Sequence, residues 1–318
     1  MEILGLVKTV LYIRVVIYLN RLETEVLGEK FKNPILPASG TYGYGEEFKD
    51  YYDPNIMGGL VSKGITRHAK PGNDGIRIWE TPSGILNSIG LENPGVKYFC
   101  ENTLEKMKAL GPHLLVNLGG NTVEEYLEAV DMLNKYDFYA IELNISCPNV
   151  KEGGMAFGIE SESAADITRR VREITDKRLF VKLSPNARDI VGCAKAVEEA
   201  GADGISLVNT FLGMAIDPVR KCAVFENTYA GLSGPSIKPI ALRMVHQVCK
   251  NVDVPVIGMG GITSGIDAIE FIMAGASLVE IGTANFMNPN AIANIIKEMN
   301  DYLEKEDLTI DSIRGIIW

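Results

Sequence analysis

Eight short, continuously apolar segments alternate with amphipathic stretches that carry recognisable helix starts, and no linker interrupts them. That rhythm in 318 residues predicts an α/β fold of one domain, a (β/α)8 TIM barrel. Continuous rather than alternating hydrophobicity is what parallel strands buried on both faces require. Apolar residues make up 46% of the chain and charged residues 23%, which supplies ample material for a large core.

In chain order, residues 1–19 stand apart. Leu6 to Leu19 is strongly apolar but interrupted by Lys8 and Arg14. It falls short of the roughly 20 residues a spanning helix needs, and no small-residue cleavage site follows. It reads as an atypical extension or a mis-assigned start, with an interfacial membrane anchor as a third reading; residues 20–318 form the barrel domain. Leu22 to Asn33 predicts a hairpin closing the barrel's bottom, with Gly28-Glu29 at the turn.

The eight strands are expected at Pro34–Ala38, Gly59–Gly64, Leu114–Leu118, Tyr139–Ile145, Leu179–Leu183, Gly204–Asn209, Pro255–Met259 and Leu278–Ile281. Between the third and fourth, Thr122 and Glu125 offer a capping box, with Val123, Leu127, Val130 and Leu133 on one helix face. Ser161, Asp189 and Ser264 are further expected caps, and Ala200-Gly201 and Ala274-Gly275 expected helix ends. Two long connections, Thr66 to Asn93 and Thr210 to Pro239, follow strand C-termini, where barrel enzymes build their sites.

Composition narrows the function. A formal charge of −10 leaves too few clustered cations for a dominant nucleic-acid surface. Three scattered histidines and five cysteines without a C-x-x-C pair predict no metal site and no iron–sulfur cluster in this chain. Dispersed cysteines in an odd number suit reduced thiols and a cytoplasmic location.

Three groups of residues carry chemistry. Gly260-Gly261 after strand seven and Gly282-Thr283 after strand eight stand where barrels commonly hold a phosphate on backbone N–H groups. Lys63 in VSKG and Lys182 in VKLSP lie in apolar strand runs, where a lysine needs an anionic partner that a phosphorylated, electron-accepting cofactor or an acidic substrate would supply. Cys147 follows strand four within Asn144-Ile145-Ser146-Cys147-Pro148-Asn149, and a thiol there can act as nucleophile or base. Asn87, Asn117, Asn209 and Thr210 stand near the same face. So many side-chain amides suit a planar, amide-rich molecule.

At these residues the chain resembles the class 1 dihydroorotate dehydrogenases, specifically the catalytic flavin subunit of class 1B. The motifs run in order from NPILPASGTYGYG at Asn33 through GLVSKGIT, ETPSGILNSIGLENPG, NISCPNVKEGGMAFG, VKLSPN, VNTFLGMAID, GLSGP, VIGMGGI and VEIGTANF. The resemblance implies FMN, its phosphate at Gly260, Gly261, Gly282 and Thr283. Ala38, Ser39, Gly40 and Gly234 would line the flavin, with Asn117 and Asn144 near it and Lys182 at its N1–O2 edge. Lys63 would lie between flavin and substrate carboxylate. Asn87, Ser88, Ile89, Gly90, Leu91, Asn144, Asn149, Asn209 and Thr210 would hold the pyrimidine ring, and Cys147 would be the base. The chemistry is consistent with this: oxidising dihydroorotate to orotate removes a hydride from one ring carbon and a proton from its neighbour, so a flavin and a base must face opposite sides.

The resemblance also implies a homodimer of this chain within a heterotetramer, whose second subunit carries FAD and an iron–sulfur cluster and passes electrons to NAD. Two departures stand out: residues 1–19 have no counterpart in the pattern, and Tyr229-Ala230 stand where more glycine is expected. Four alternatives remain open from sequence: a fumarate-dependent class 1A enzyme, a dihydropyrimidine dehydrogenase-like flavoenzyme, a tRNA dihydrouridine synthase, and a non-catalytic flavin-binding scaffold. The acidic balance disfavours the third, and Cys147 with both lysines disfavours the last.

Overall fold

The computed structural model describes residues 21–111, 113–146 and 157–318. All eight expected barrel strands are present, in order Ile35–Pro37, Leu60–Val61, Leu114–Leu118, Ala140–Asn144, Arg178–Lys182, Gly204–Leu207, Val256–Met259 and Leu278–Ile281. They pair in parallel, each with its sequence neighbour, from the second strand round to the eighth, and the eighth pairs with the first. The first and second are tied by the Gly58 amide donating to the Ile35 carbonyl at 3.0 Å, beside the Asn33 side chain. The fourth and fifth strands are buried almost throughout, as their unbroken apolar runs require.

Helices Val123–Leu133, Ser161–Arg172, Ile190–Glu199, Lys238–Cys249, Gly265–Met273 and Ala291–Glu306 wrap the sheet. The alternation is not perfect. Among the described residues, two single-turn 3-10 segments, Glu46–Phe48 and Pro54–Ile56, take the place of a first outer helix. Thr122 caps its helix by accepting from the Glu125 amide, but the box is one-sided: the Glu125 carboxylate accepts from the Asn121 amide instead. Tyr126 and Ala129 join Val130 and Leu133 as the buried face, while Val123 and Leu127 are only partly covered. Ser161 is not a cap. It is the first helical residue, and Glu160 precedes it without a side-chain bond. Asp189 and Ser264 do cap, the latter in a two-way box with Asp267.

The hairpin pairs Thr24–Val26 with Glu29–Phe31. Its turn is Leu27-Gly28 rather than Gly28-Glu29, with φ of 52° and 78°, the paired left-handed conformation of a two-residue hairpin loop. Val26 and Phe31 pack with Leu36, Val61, Leu115, Phe180, Ile257 and Leu278, one inward residue from most barrel strands. The Tyr139 hydroxyl donates to the Val26 carbonyl at 3.1 Å. The lower end of the barrel is thereby plugged.

At the upper end the two long connections are not irregular loops. They form a four-stranded antiparallel sheet ordered Phe211–Met214, Tyr229–Ser233, Gly84–Asn87, Ile78–Thr81. One face packs Leu86, Ala230 and Leu232 on Phe225. Ile78, Ile85, Asn87 and Ser233 instead face the barrel mouth. Among the described residues, no helix is long and apolar enough to cross a membrane.

Candidate active site

Two adjoining chambers lie between the barrel mouth and the cross-mouth sheet, of about 340 and 370 Å³. Asn87, Ile89, Asn209 and Thr210 belong to the wall of both. The first is lined by Ala38, Ser39, Gly40, Lys63, Lys182, Gly234, Gly260, Gly261, Gly282 and Thr283, together with Glu280. The second is lined by Asn87, Ser88, Ile89, Gly90, Leu91, Asn144, Asn209 and Thr210, with Ser146 among them. The residues expected at the cofactor and those expected at the substrate thus sort into neighbouring compartments. Three do not sort simply. Asn144 stands in the second chamber, Lys63 in the first, and Asn117 in neither; Asn117 is fully buried in the third strand. Cys147 and Asn149 lie outside the described residues.

The glycines of the first chamber have different reasons to be glycine. Gly261 adopts φ of 75°, and a Cβ there would meet the Gly234 carbonyl oxygen and the Lys238 amide nitrogen at 2.8 Å. It is fixed by the fold itself. Gly282 has neither a positive φ nor a crowded Cβ direction; a Cβ would find its nearest neighbour, Ala38 Cβ, at 3.5 Å. The space beside it is kept clear of protein, as a cradle for a ligand that approaches the backbone requires. Among the described residues the amides of Gly261, Gly282 and Thr283 have no hydrogen-bond acceptor, so three donors stand at one end of the chamber. Such a nest suits an anion, phosphate above all.

At the chamber floor the expectation for the lysines needs correction. Lys182 is buried, but its anionic partners come from the barrel itself: its Nζ lies 3.4 Å from Glu280 Oε2 and 3.7 Å from Glu142 Oε2. Burial opposes its charge, yet the two carboxyls more than offset this and push its pKa up. Lys63 is partly exposed and lies 3.7 Å from Glu92, which also meets Arg77 at 3.2 Å. Neither Glu142 nor Glu280 was anticipated, although each interrupts an apolar strand run just as the lysines do.

In the second chamber the amides form a connected chain. Asn144 Oδ1 accepts from the Ser146 hydroxyl at 2.6 Å and faces Asn209 Nδ2 at 3.4 Å, while Asn209 also donates to the Ser146 hydroxyl. The Tyr126 hydroxyl fixes the strand end by donating to the Asn144 carbonyl at 2.7 Å. From the opposite side, Asn87 donates to the Gly231 carbonyl at 3.2 Å, which holds it in the cross-mouth sheet. A flat polar ring between these walls would meet donors and acceptors on both edges.

Comparison with known proteins places the chain in a family. The sequence model described as dihydroorotate dehydrogenase matches residues 21–303. A protein of Petrotoga mobilis named dihydroorotate dehydrogenase B (NAD(+)), catalytic subunit, is 53% identical over 93% of this chain and 99% of its own length. Proteins of the same name from Porphyromonas gingivalis and Thermoanaerobacter pseudethanolicus are 51% and 50% identical, over 91% and 93% of this chain and 95% and 97% of theirs.

Proposed function

The chain belongs to the dihydroorotate dehydrogenase family, and from that premise we propose that it is the catalytic subunit of an NAD-linked enzyme, oxidising dihydroorotate to orotate for pyrimidine biosynthesis with FMN in the first chamber. The observation that carries this reading is the shared wall. A compartment with a free amide nest and a buried lysine opens, through Asn87, Ile89, Asn209 and Thr210, on a compartment lined by side-chain amides.

The residues present fit FMN. Gly261, Gly282 and Thr283 offer donors to its phosphate, and Lys182 offers a fixed cation to the ring. When bound, the flavin accepts the hydride. The protein's share is orientation and charge. Lys182 would favour the negative charge of the reduced ring. Asn87, Asn144, Asn209 and Thr210 would hold the pyrimidine in the second chamber, and Lys63, in the first, would attract its carboxylate. Cys147 takes the proton. Support for that assignment is chain continuity, since Ser146, the residue before it, lines the substrate compartment. A thiol with an ordinary pKa near 8.5 can lose its proton near neutrality far more readily than a serine hydroxyl.

Electrons leave through a second subunit, which the word catalytic in the relatives' names implies; we assign FAD and an iron–sulfur cluster to that partner, in a heterotetramer built on a dimer of this chain. No G-x-G-x-x-G segment opens a βαβ unit here, and no cysteine pair has cluster spacing. Adding orotate to the purified yellow protein should perturb the flavin spectrum in a saturable way. A flavin spectrum indifferent to orotate and dihydroorotate would overturn the reading.

A further inference from the structure

Three ionisable side chains meet inside the barrel beneath the flavin chamber: Glu142 on the fourth strand, Lys182 on the fifth and Glu280 on the eighth, each 3% exposed or less. Two carboxylates against one ammonium would leave an excess negative charge in a place where an uncompensated ion is strongly disfavoured. One carboxyl therefore keeps its proton. Hydrogen bonding distinguishes the two. Glu142 Oε2 accepts from Asn117 Nδ2 at 2.5 Å and its Oε1 from the Ser206 hydroxyl at 2.7 Å, so both oxygens already face donors. Glu280 Oε1 is buried and has no donor. As a carboxylate oxygen it would be orphaned; as an O–H it can itself donate, while Glu280 Oε2 still accepts from Lys182 Nζ at 3.4 Å.

Among the described residues, Glu142 and Lys182 are the charged groups that act on the Glu280 carboxyl, while Lys63 lines the chamber above it. The ladder partners of Glu280 are Met259 on the seventh strand and Leu36 on the first. Asn117 and Ser206 face the trio from the third and sixth strands, and Ser62 on the second accepts only from the Asn117 amide. Burial and the neighbouring Glu142 hold the Glu280 carboxyl well above the usual range, against the pull of Lys182.

We propose that Glu280 is a positioning residue held as a neutral acid, which leaves Lys182 and Glu142 as a balanced ion pair and thereby sets the strength of the cation that the flavin meets. The proposal rests on the flavin reading above. It makes Glu280 a silent third member: its shape and its O–H matter, its charge does not exist near neutral pH.

Infrared spectroscopy of the purified protein tests the proton directly. A carboxylic-acid C=O band that persists at pH 7, shifts in D2O and disappears in Glu280→Gln is expected. Absence of the band, or its survival in that variant, overturns the proposal. Redox titration supplies the second arm. Glu280→Gln reproduces a neutral acid and should leave the flavin potential at pH 7 unchanged. Glu142→Gln removes the balancing anion and should raise the potential, a tenfold preference for reduced flavin corresponding to about 30 mV for a two-electron couple. The opposite pattern, a raised potential in Glu280→Gln alone, overturns the proposal. A protein that binds no flavin would defeat the functional reading, while the infrared arm would still decide the state of Glu280. It also decides the matter if Glu142→Gln fails to fold.

Discussion

Thr283 and Ser233 share a hydrogen bond of 2.9 Å between their hydroxyls. It joins the loop after the eighth strand to the cross-mouth sheet, at the glycine-rich end of the first chamber. The same two segments that close over the cavity are therefore fastened at the point where the phosphate is expected.

Gly282 and Gly261 should respond differently to a methyl group. Gly282→Ala meets nothing closer than 3.5 Å and should fold with unchanged thermal stability, yet bind FMN at least about tenfold more weakly. Gly261→Ala would clash with backbone at 2.8 Å in a left-handed conformation, and should lose about 1–3 kcal/mol of stability as well. Calorimetry of the apoproteins and flavin titration separate the two effects. Equal FMN affinity in Gly282→Ala and the parent would remove Gly282 from the cradle.

Cys147→Ala should retain FMN but reduce it with dihydroorotate about 10²-fold more slowly or worse, the usual cost of removing a general base. Cys147→Ser should be slow and recover in part as pH rises. Stopped-flow reduction at pH 7 and pH 9 reads both, and near-normal speed in the alanine variant would sink the assignment.

Lys182→Ala leaves Glu142 buried without its cation. Breaking a buried pair costs about 3–5 kcal/mol, so the variant should unfold at markedly lower denaturant concentration. Whatever fraction holds FMN should show a lower potential, because reduced flavin loses its counter-charge. An unchanged or raised potential would contradict the role given to Lys182.

Asp267 supplies a pH-dependent test. Burial would raise its carboxyl, but Lys238 and the Thr263 and Ser264 donors prevail and hold it below its ordinary 3.8. A depressed carboxyl stabilises the fold above its unfolded pKa and loses that contribution as pH falls through the folded value. Asp267→Asn should therefore cost about 1–2 kcal/mol at pH 7, from the capping box, and the difference should shrink as pH falls below 3.8. Urea unfolding at pH 7, 4 and 3 measures it; a cost independent of pH would show that the charge is irrelevant.

Phe286, which lines the first chamber, and its chain neighbour Met287 are 54% and 66% exposed. If the electron-transfer partner docks there, Met287→Asp should leave reduction of FMN by dihydroorotate intact while lowering NAD reduction by the reconstituted complex at least about tenfold, as a charge placed in a contact core would. Undiminished NAD reduction would locate the partner elsewhere.

How far the sequence disclosed this arrangement depends on the range of the interaction. The strands were legible because burial on both faces leaves an unbroken apolar run, as in LLVNL and RLFVK. Lys182 was legible by the same logic, as a charge inside such a run. Glu142 in AIELN and Glu280 in LVEI carry the identical signal and complete the trio; reading one sign of charge alone hid them. The cross-mouth sheet was opaque for another reason. Its central pairing joins Asn87 to Gly231, 144 positions away, and no local pattern specifies so distant a partner. Ser161 misled because serine before an apolar face resembles a cap, whereas its hydroxyl instead contacts the Cys193 thiol at 3.6 Å.

The hairpin under Val26 and Phe31 makes the barrel a vessel with a stoppered base. Every arrival and departure must then share one rim. The amide-lined chamber extends to the exposed Leu212, whereas the first chamber extends to the exposed Phe286. A redox partner seated at Phe286 would leave the Leu212 side uncovered, so product could depart without the complex coming apart.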